Sequence, residues 1–287
     1  MKKKFIFALL ITIFSFIIGI FAFNWPQENI NQDSFYSVFG QLRGSSFCNS
    51  LIFSEPSKVT ASEAGAILTV LGNNSGEMGW FESPLGNTVI IAHDNDLLSI
   101  YGNLTETNID SSAKYVQIGK ELGYSGSSGW QHGQSSLEFQ IVDTKKNEVI
   151  NPRLLMPHVN IEKQLRLYGI TAVSRSGEKY DLRIRRNIPT GTYTLYRTRE
   201  QSIMPYKTTV SVNGAAVETI TFDLLTCSDK NISVKGKYDY SVNNIYPNTE
   251  QQLLAEVNLS AGRNTLNITA SDINGAEYSV TYILDVK

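Results

Sequence analysis

Histidine and cysteine are scarce in this chain, with three of the first and two of the second among 287 residues. His93, His132 and His158 fall in no ligand pattern with Cys48 and Cys227, so no zinc finger is encoded. Charge is equally short of a bias. The formal net charge is −2 at pH 7, with no basic excess and no like-charge block, which argues against a nucleic-acid partner or an electrostatic tail. No convincing internal repeat, low-complexity tract or long amphipathic helical window interrupts the chain. The Gly-Ser stretch "YSGSSGWQHG" carries no Lys and leads into no helix, so it reads as a turn rather than a phosphate cradle. Ser135 and Ser136 lack a G-x-S-x-G setting, which removes the usual serine-hydrolase signal.

What the chain does have begins at its N-terminus. "MKKK" is followed by an uninterrupted apolar run over residues 5–23, the pattern of an export signal cut near Ala22 or of an N-terminal membrane anchor. Either reading places the remainder outside the cytoplasm, in the periplasm or cell envelope. In an oxidising compartment Cys48 and Cys227 can pair and tie the two halves together; two separate, partly buried thiols are the other reading.

A polar linker is expected over residues 24–33. From 34 to 158, short apolar runs such as "AGAILTVLG", "NTVIIAHDND" and "SLEFQIVD" alternate with Gly punctuation, which predicts a largely antiparallel β domain. Two prolines in "NPRLLMP" (151–157) close it. From 165 to 287 a second all-β unit is expected. Its alternating runs and the Asn213-Gly214 and Asn274-Gly275 turn dipeptides have the rhythm of an immunoglobulin-like sandwich. The fold class is therefore all-β, in two domains.

The segments from about 38 to 157 are, in order, similar to the lysostaphin/LytM-type zinc metallopeptidases, which cut cell-wall cross-links. "VTASEAGAIL" (59–68) matches a V-x-A-x-x-x-G-x-V strand pair. "GNTVIIAHDNDLLSIYGNL" (86–104) matches a segment ending Y-x-H-L. "VQIGKELGYSGSSG" (116–129) matches V-x-x-G-q-x-I-G-x-S-G-x-T-G, and "SLEFQIVD…NPRLLM" (136–156) matches H-L-H-F-E…n-P. The resemblance implies a groove and, in active relatives, a zinc ion held by His, Asp and His with two further histidines handling protons. Here the ligand positions are matched by Cys48, Ile52 and Glu138, and the catalytic histidine positions by Asn103 and Ser136.

Loss of all five groups together removes both Lewis acid and proton handling. The resemblance therefore implies a pseudopeptidase without a cofactor. It would bind peptidoglycan peptide or a wall-hydrolase partner through a groove lined by His93, Tyr101, Asn103, Ser136, Glu138 and Gln140. Two alternatives stay open: an active zinc endopeptidase with a displaced site on Cys48, His93 and Glu138, and a purely structural envelope protein. In the pseudopeptidase reading the sandwich is a spacer or adhesion module.

Overall fold

The structure is a computed structural model that describes residues 22–72, 83–110, 112–129, 135–159, 162–200, 203–228 and 231–287. The expected signal or anchor lies almost wholly outside these residues, as do His132 and Gly133. Among the described residues no helix is long and apolar enough to cross a membrane.

The predicted all-β class is what forms. The strand Leu97–Thr107 is the spine of a 13-stranded sheet, paired antiparallel with Asn87–Ala92 on one side and Glu138–Asp143 on the other. Alternation decides which face each side chain takes. Leu137, Phe139 and Ile141 enter a core with Val89, Ile91, Tyr101 and Leu104, while Glu138, Gln140 and Val142 point the other way. One residue breaks the alternation. Asn103 has φ +62°, a left-handed conformation that Asn tolerates better than most side chains. It acts as a bulge, so Tyr101 and Leu104, three apart, both reach the core.

One stretch, 224–241, joins a different sheet than expected. Glu148–Ile150 pairs with Leu224–Ser228, which pairs with Asn231–Lys235 and then Asp239–Ser241. Residues 224–241, expected inside the sandwich, thus extend the first sheet. Alternation in "LLTCS" and "NISVK" reports that a strand has two faces, not which sheet it joins.

The sandwich itself is a four-stranded sheet, containing Thr171–Ser174, Gly191–Thr198 and Gln251–Leu259, over a five-stranded sheet containing Lys207–Val212, Ala215–Thr221, Gly262–Ser271 and Glu277–Val286. Leu195, Val210, Val257, Ile268 and Leu284 fill the space between the sheets. Asn213 and Gly214 both take positive φ in the tight turn joining Val212 to Ala215, as the dipeptide predicts. A third cluster joins the two units: Phe39, Phe47 and Val149 pack against Ile220, Phe222, Leu225 and Tyr246.

The expected linker also differs. Phe23 is 2% exposed and stands edge-on to His93, while its N–H donates to the Leu155 carbonyl. The Trp25 indole donates to the Pro157 carbonyl, and Gln27 is buried. Two aromatics at the head of a polar segment anchor it to the domain, where composition alone suggested a tether.

Candidate functional site

Glu138 is the centre of the region matched to the metallopeptidase motifs. Its Cα partner is Ile52 on the strand Leu51–Phe53 and Gly102 on the spine strand. The carboxylate is almost fully buried and accepts from Arg43 Nη1 at 2.8 Å and from Gln140 Nε2 at 3.2 Å. Arg43 comes from a small hairpin, Leu42–Arg43 paired with Ser46–Phe47, which turns at Gly44 with φ +60°. Burial works against the Arg43 charge, but the hydrogen bond and charge of Glu138 outweigh it and hold the guanidinium pKa above its ordinary value.

Asn103 is fully buried at the neighbouring position. Its Nδ2 donates to the Ser136 carbonyl at 2.6 Å, and its Oδ1 accepts from the Gly129 N–H at 2.7 Å. The bulge that gives Asn103 its positive φ aims the amide at this loop. Gly126 sits so close to Thr105 that a Cβ would lie 2.3 Å from Oγ1, which explains a glycine here on packing grounds. Asn103 thus serves as a clamp between the spine strand and the segments around Gly129 and Ser136.

Cys48 is buried, and its thiol donates to the Ser50 carbonyl at 3.3 Å. Both Cys48 and Cys227 are free thiols, so the disulfide is not formed. The Cys48 side chain is turned to its own loop, and Cys227 sits on the strand opposite Ile232.

His93 and Tyr101 belong elsewhere. His93 Nδ1 lies 2.9 Å from the Ala64 carbonyl and Nε2 lies 2.7 Å from Ser99 Oγ. Ser99 Oγ donates to the Tyr101 hydroxyl, which also accepts from the Ser62 N–H. Burial pushes the Tyr101 phenol up. Ser99 and Tyr101 face Ile141 and Phe139, the side of the sheet opposite Glu138. The six residues expected to line one groove therefore split. Asn103, Ser136, Glu138 and Gln140 gather beside Ile52, while His93 and Tyr101 brace the core.

That neighbourhood is also closed where an open groove was expected. Asn103, Ser136, Glu138, Gln140, Cys48 and Ile52 are all buried, and Arg43 reaches over Glu138 from the hairpin. Arg43 is the residue that sequence reasoning missed. Its only signal was a lone cation in "GQLRGSSF", with no acidic residue near it in sequence.

The residues present do not fit zinc. Ile52 offers no donor, the Glu138 carboxylate is held by a cation, and the Cys48 thiol is directed at Ser50. Among the described residues no group of three His, Cys, Asp or Glu can hold a metal, and His93 cannot join Cys48 and Glu138 from across the sheet. Away from this region, a cavity of about 50 Å³ beside Asn151, Arg153, Glu162 and Asp272 has room for a water or two.

Bulged spine strand, flanking hairpins and clustered motif positions define a metallopeptidase-like β domain of the LytM type. Residues 50–152 match the family model described as "Peptidase family M23", so this part of the chain is an M23-type domain. A second family model, which carries no description, matches residues 164–287. An uncharacterized protein of Treponema pallidum (strain Nichols) is 31% identical over 122 residues, 38% of this chain and 79% of that protein. Among solved structures, a chain of the SpoIIIAH and SpoIIQ complex is similar at 15% identity and TM-score 0.37, over 47% of this chain and 99% of that one. The catalytic domain of the prophage-encoded M23 protein EnpA of Enterococcus faecalis is similar at 23% identity and TM-score 0.33, over 44% and 89%.

Proposed function

We propose that this is an exported cell-envelope protein whose M23 domain works without hydrolysis, as a binding scaffold for wall peptide or for an envelope protein partner. The observation that supports this reading is the Glu138–Arg43 pair. At the position matched to a zinc histidine stands a carboxylate already neutralised by a cation, beside an isoleucine that has no lone pair to give. A domain so arranged has its charge satisfied internally and no described nucleophile poised for attack.

Zinc analysis of the purified protein, with wall hydrolysis measured before and after chelation, tests the non-catalytic half. Stoichiometric zinc together with chelator-sensitive hydrolysis overturns it. Co-sedimentation with isolated cell wall, and capture of crosslinked envelope proteins, test the binding half. The burial of Asn103, Ser136, Glu138 and Gln140 favours a second reading, in which the domain is purely structural. Failure to retain wall or any envelope protein decides for that second reading.

A further inference from the structure

A cleft of about 260 Å³ opens where the strand Asp239–Ser241 and the one-turn helix Val242–Ile245 lie beside the sandwich strands Gly191–Thr198 and Gln251–Leu259. Its walls include Tyr196, Tyr238, Tyr240, Asn243, Asn244 and Glu256. It is well removed in the fold from Glu138, on the far end of the extended sheet.

The aromatic wall is fixed in place. The Tyr240 hydroxyl donates to the buried carboxylate of Glu218 at 2.5 Å, and Glu218 is itself held by the N–H groups of Thr219 and Lys237. Tyr238 stands edge-on to Tyr240 at 6.0 Å between centroids and is 61% exposed. The polar side is unspent. Asn244 uses its carboxamide oxygen on Ser241, which leaves the NH₂ available, and no described hydrogen bond or ion pair engages the side chains of Asn243 or Glu256.

Rigid ring faces beside a few directed amide and carboxylate groups suit a ligand with an apolar face and a rim of hydroxyls. A purely apolar ligand would strand Glu256 and both amides without partners. An anion meets the Glu256 carboxylate. A cationic peptide meets Lys237, whose Nζ lies 5.6 Å from the Tyr238 ring centroid. We propose that this cleft binds a neutral saccharide ring, with C–H groups on the tyrosine faces and hydroxyl or acetamido groups on Asn243, Asn244 and Glu256. The proposal does not rest on what the M23 domain binds.

Isothermal titration of the full-length protein with chitotetraose and with maltotetraose tests it. Saturable binding of at least one is expected, weakened about five- to tenfold by Tyr238→Ala and by Glu256→Gln. Both positions are exposed, so an unchanged melting temperature checks that each variant is folded. Lys179→Ala, at an exposed position outside the cleft, should leave the affinity as it is. No heat from either saccharide at concentrations on the order of 10 mM overturns the proposal. So does binding that both cleft variants leave intact, or saturable binding of a lysine-bearing tetrapeptide in place of both saccharides.

Discussion

Removing Arg43 asks directly whether the closed site is held by charge. The Arg43→Ala variant leaves the Glu138 carboxylate, 3% exposed, with the Gln140 amide still in reach and the Arg43 charge gone. Breaking a fully buried ion pair from one side costs about 3–5 kcal/mol, because the abandoned charge stays in a poor solvent. Arg43 keeps 31% of its side-chain surface in water, which allows water to replace part of what it supplied. The expected loss is therefore about 2–3 kcal/mol. For a chain of this size that lowers the melting temperature by about 5 °C. Glu138→Gln, which keeps an acceptor for Arg43 while removing the charge, should cost less. The double variant Arg43→Ala, Glu138→Gln should lose less than the sum of the two single variants, since neither charge then needs a partner. Thermal and urea unfolding of the four proteins complete the cycle. A loss below about 0.5 kcal/mol for Arg43→Ala, with no coupling in the cycle, would mean an ordinary surface pair. The account of a site closed by Arg43 would then be wrong.

The remaining expectations concern anchoring and pH. The Tyr246 hydroxyl donates to the Gly40 carbonyl across the junction of the two units, and burial raises its pKa above the ordinary tyrosine value. A raised folded pKa stabilises below the unfolded value and loses that contribution as pH rises, so unfolding free energy should fall above about pH 10, less steeply in Tyr246→Phe. Asp143 accepts from the Lys145 and Lys146 N–H groups, and chiefly the Lys146 bond lowers its pKa. That contribution is present above the ordinary aspartate value and lost below about pH 4; Asp143→Asn should retain most neutral-pH stability but show a shallower acid limb in pH-dependent unfolding. Phe23→Ala removes a buried side chain at the end of the expected signal or anchor, just ahead of the expected 24–33 linker, and should lower stability by about 3 kcal/mol in the same assay; an unchanged value would leave that segment untied at its head.

Strand existence was legible because alternation is a local property. "SLEFQIVD" and "NTVIIA" announce their two faces whatever they pair with, and Asn213-Gly214 announces its turn through backbone preference alone. The family motifs added the order of the segments, which sets Glu138 opposite Ile52 and lets Asn103 bond to Ser136. Three things needed the folded chain. Sheet membership of 224–241 depends on which edge is open, and alternation does not encode that. The split between Glu138 and Tyr101 follows from the register that sets Gly102 opposite Glu138 and Tyr101 opposite Phe139, and a shift of one residue would exchange the faces. The closure depends on Arg43 meeting a carboxylate 95 positions away, a contact with no local signature.

Closure and sheet extension have a common consequence. The face of the Glu138–Asp143 strand that carries Glu138, Gln140 and Val142 is the one packed on by the Arg43 hairpin and, through Val142, by the third core. That core draws Phe39 and Phe47 from one side of the junction and Ile220, Phe222 and Tyr246 from the other. The pairing of Glu148–Ile150 with Leu224–Ser228 adds backbone hydrogen bonds across the same boundary. Through Val142 this face takes part in joining the two units. Apolar burial and a shared sheet resist separation together, since pulling the units apart exposes Phe39, Phe47 and Phe222 and strips strand edges at once. The M23-type domain of this chain is accordingly built into one composite body with the second unit through that face.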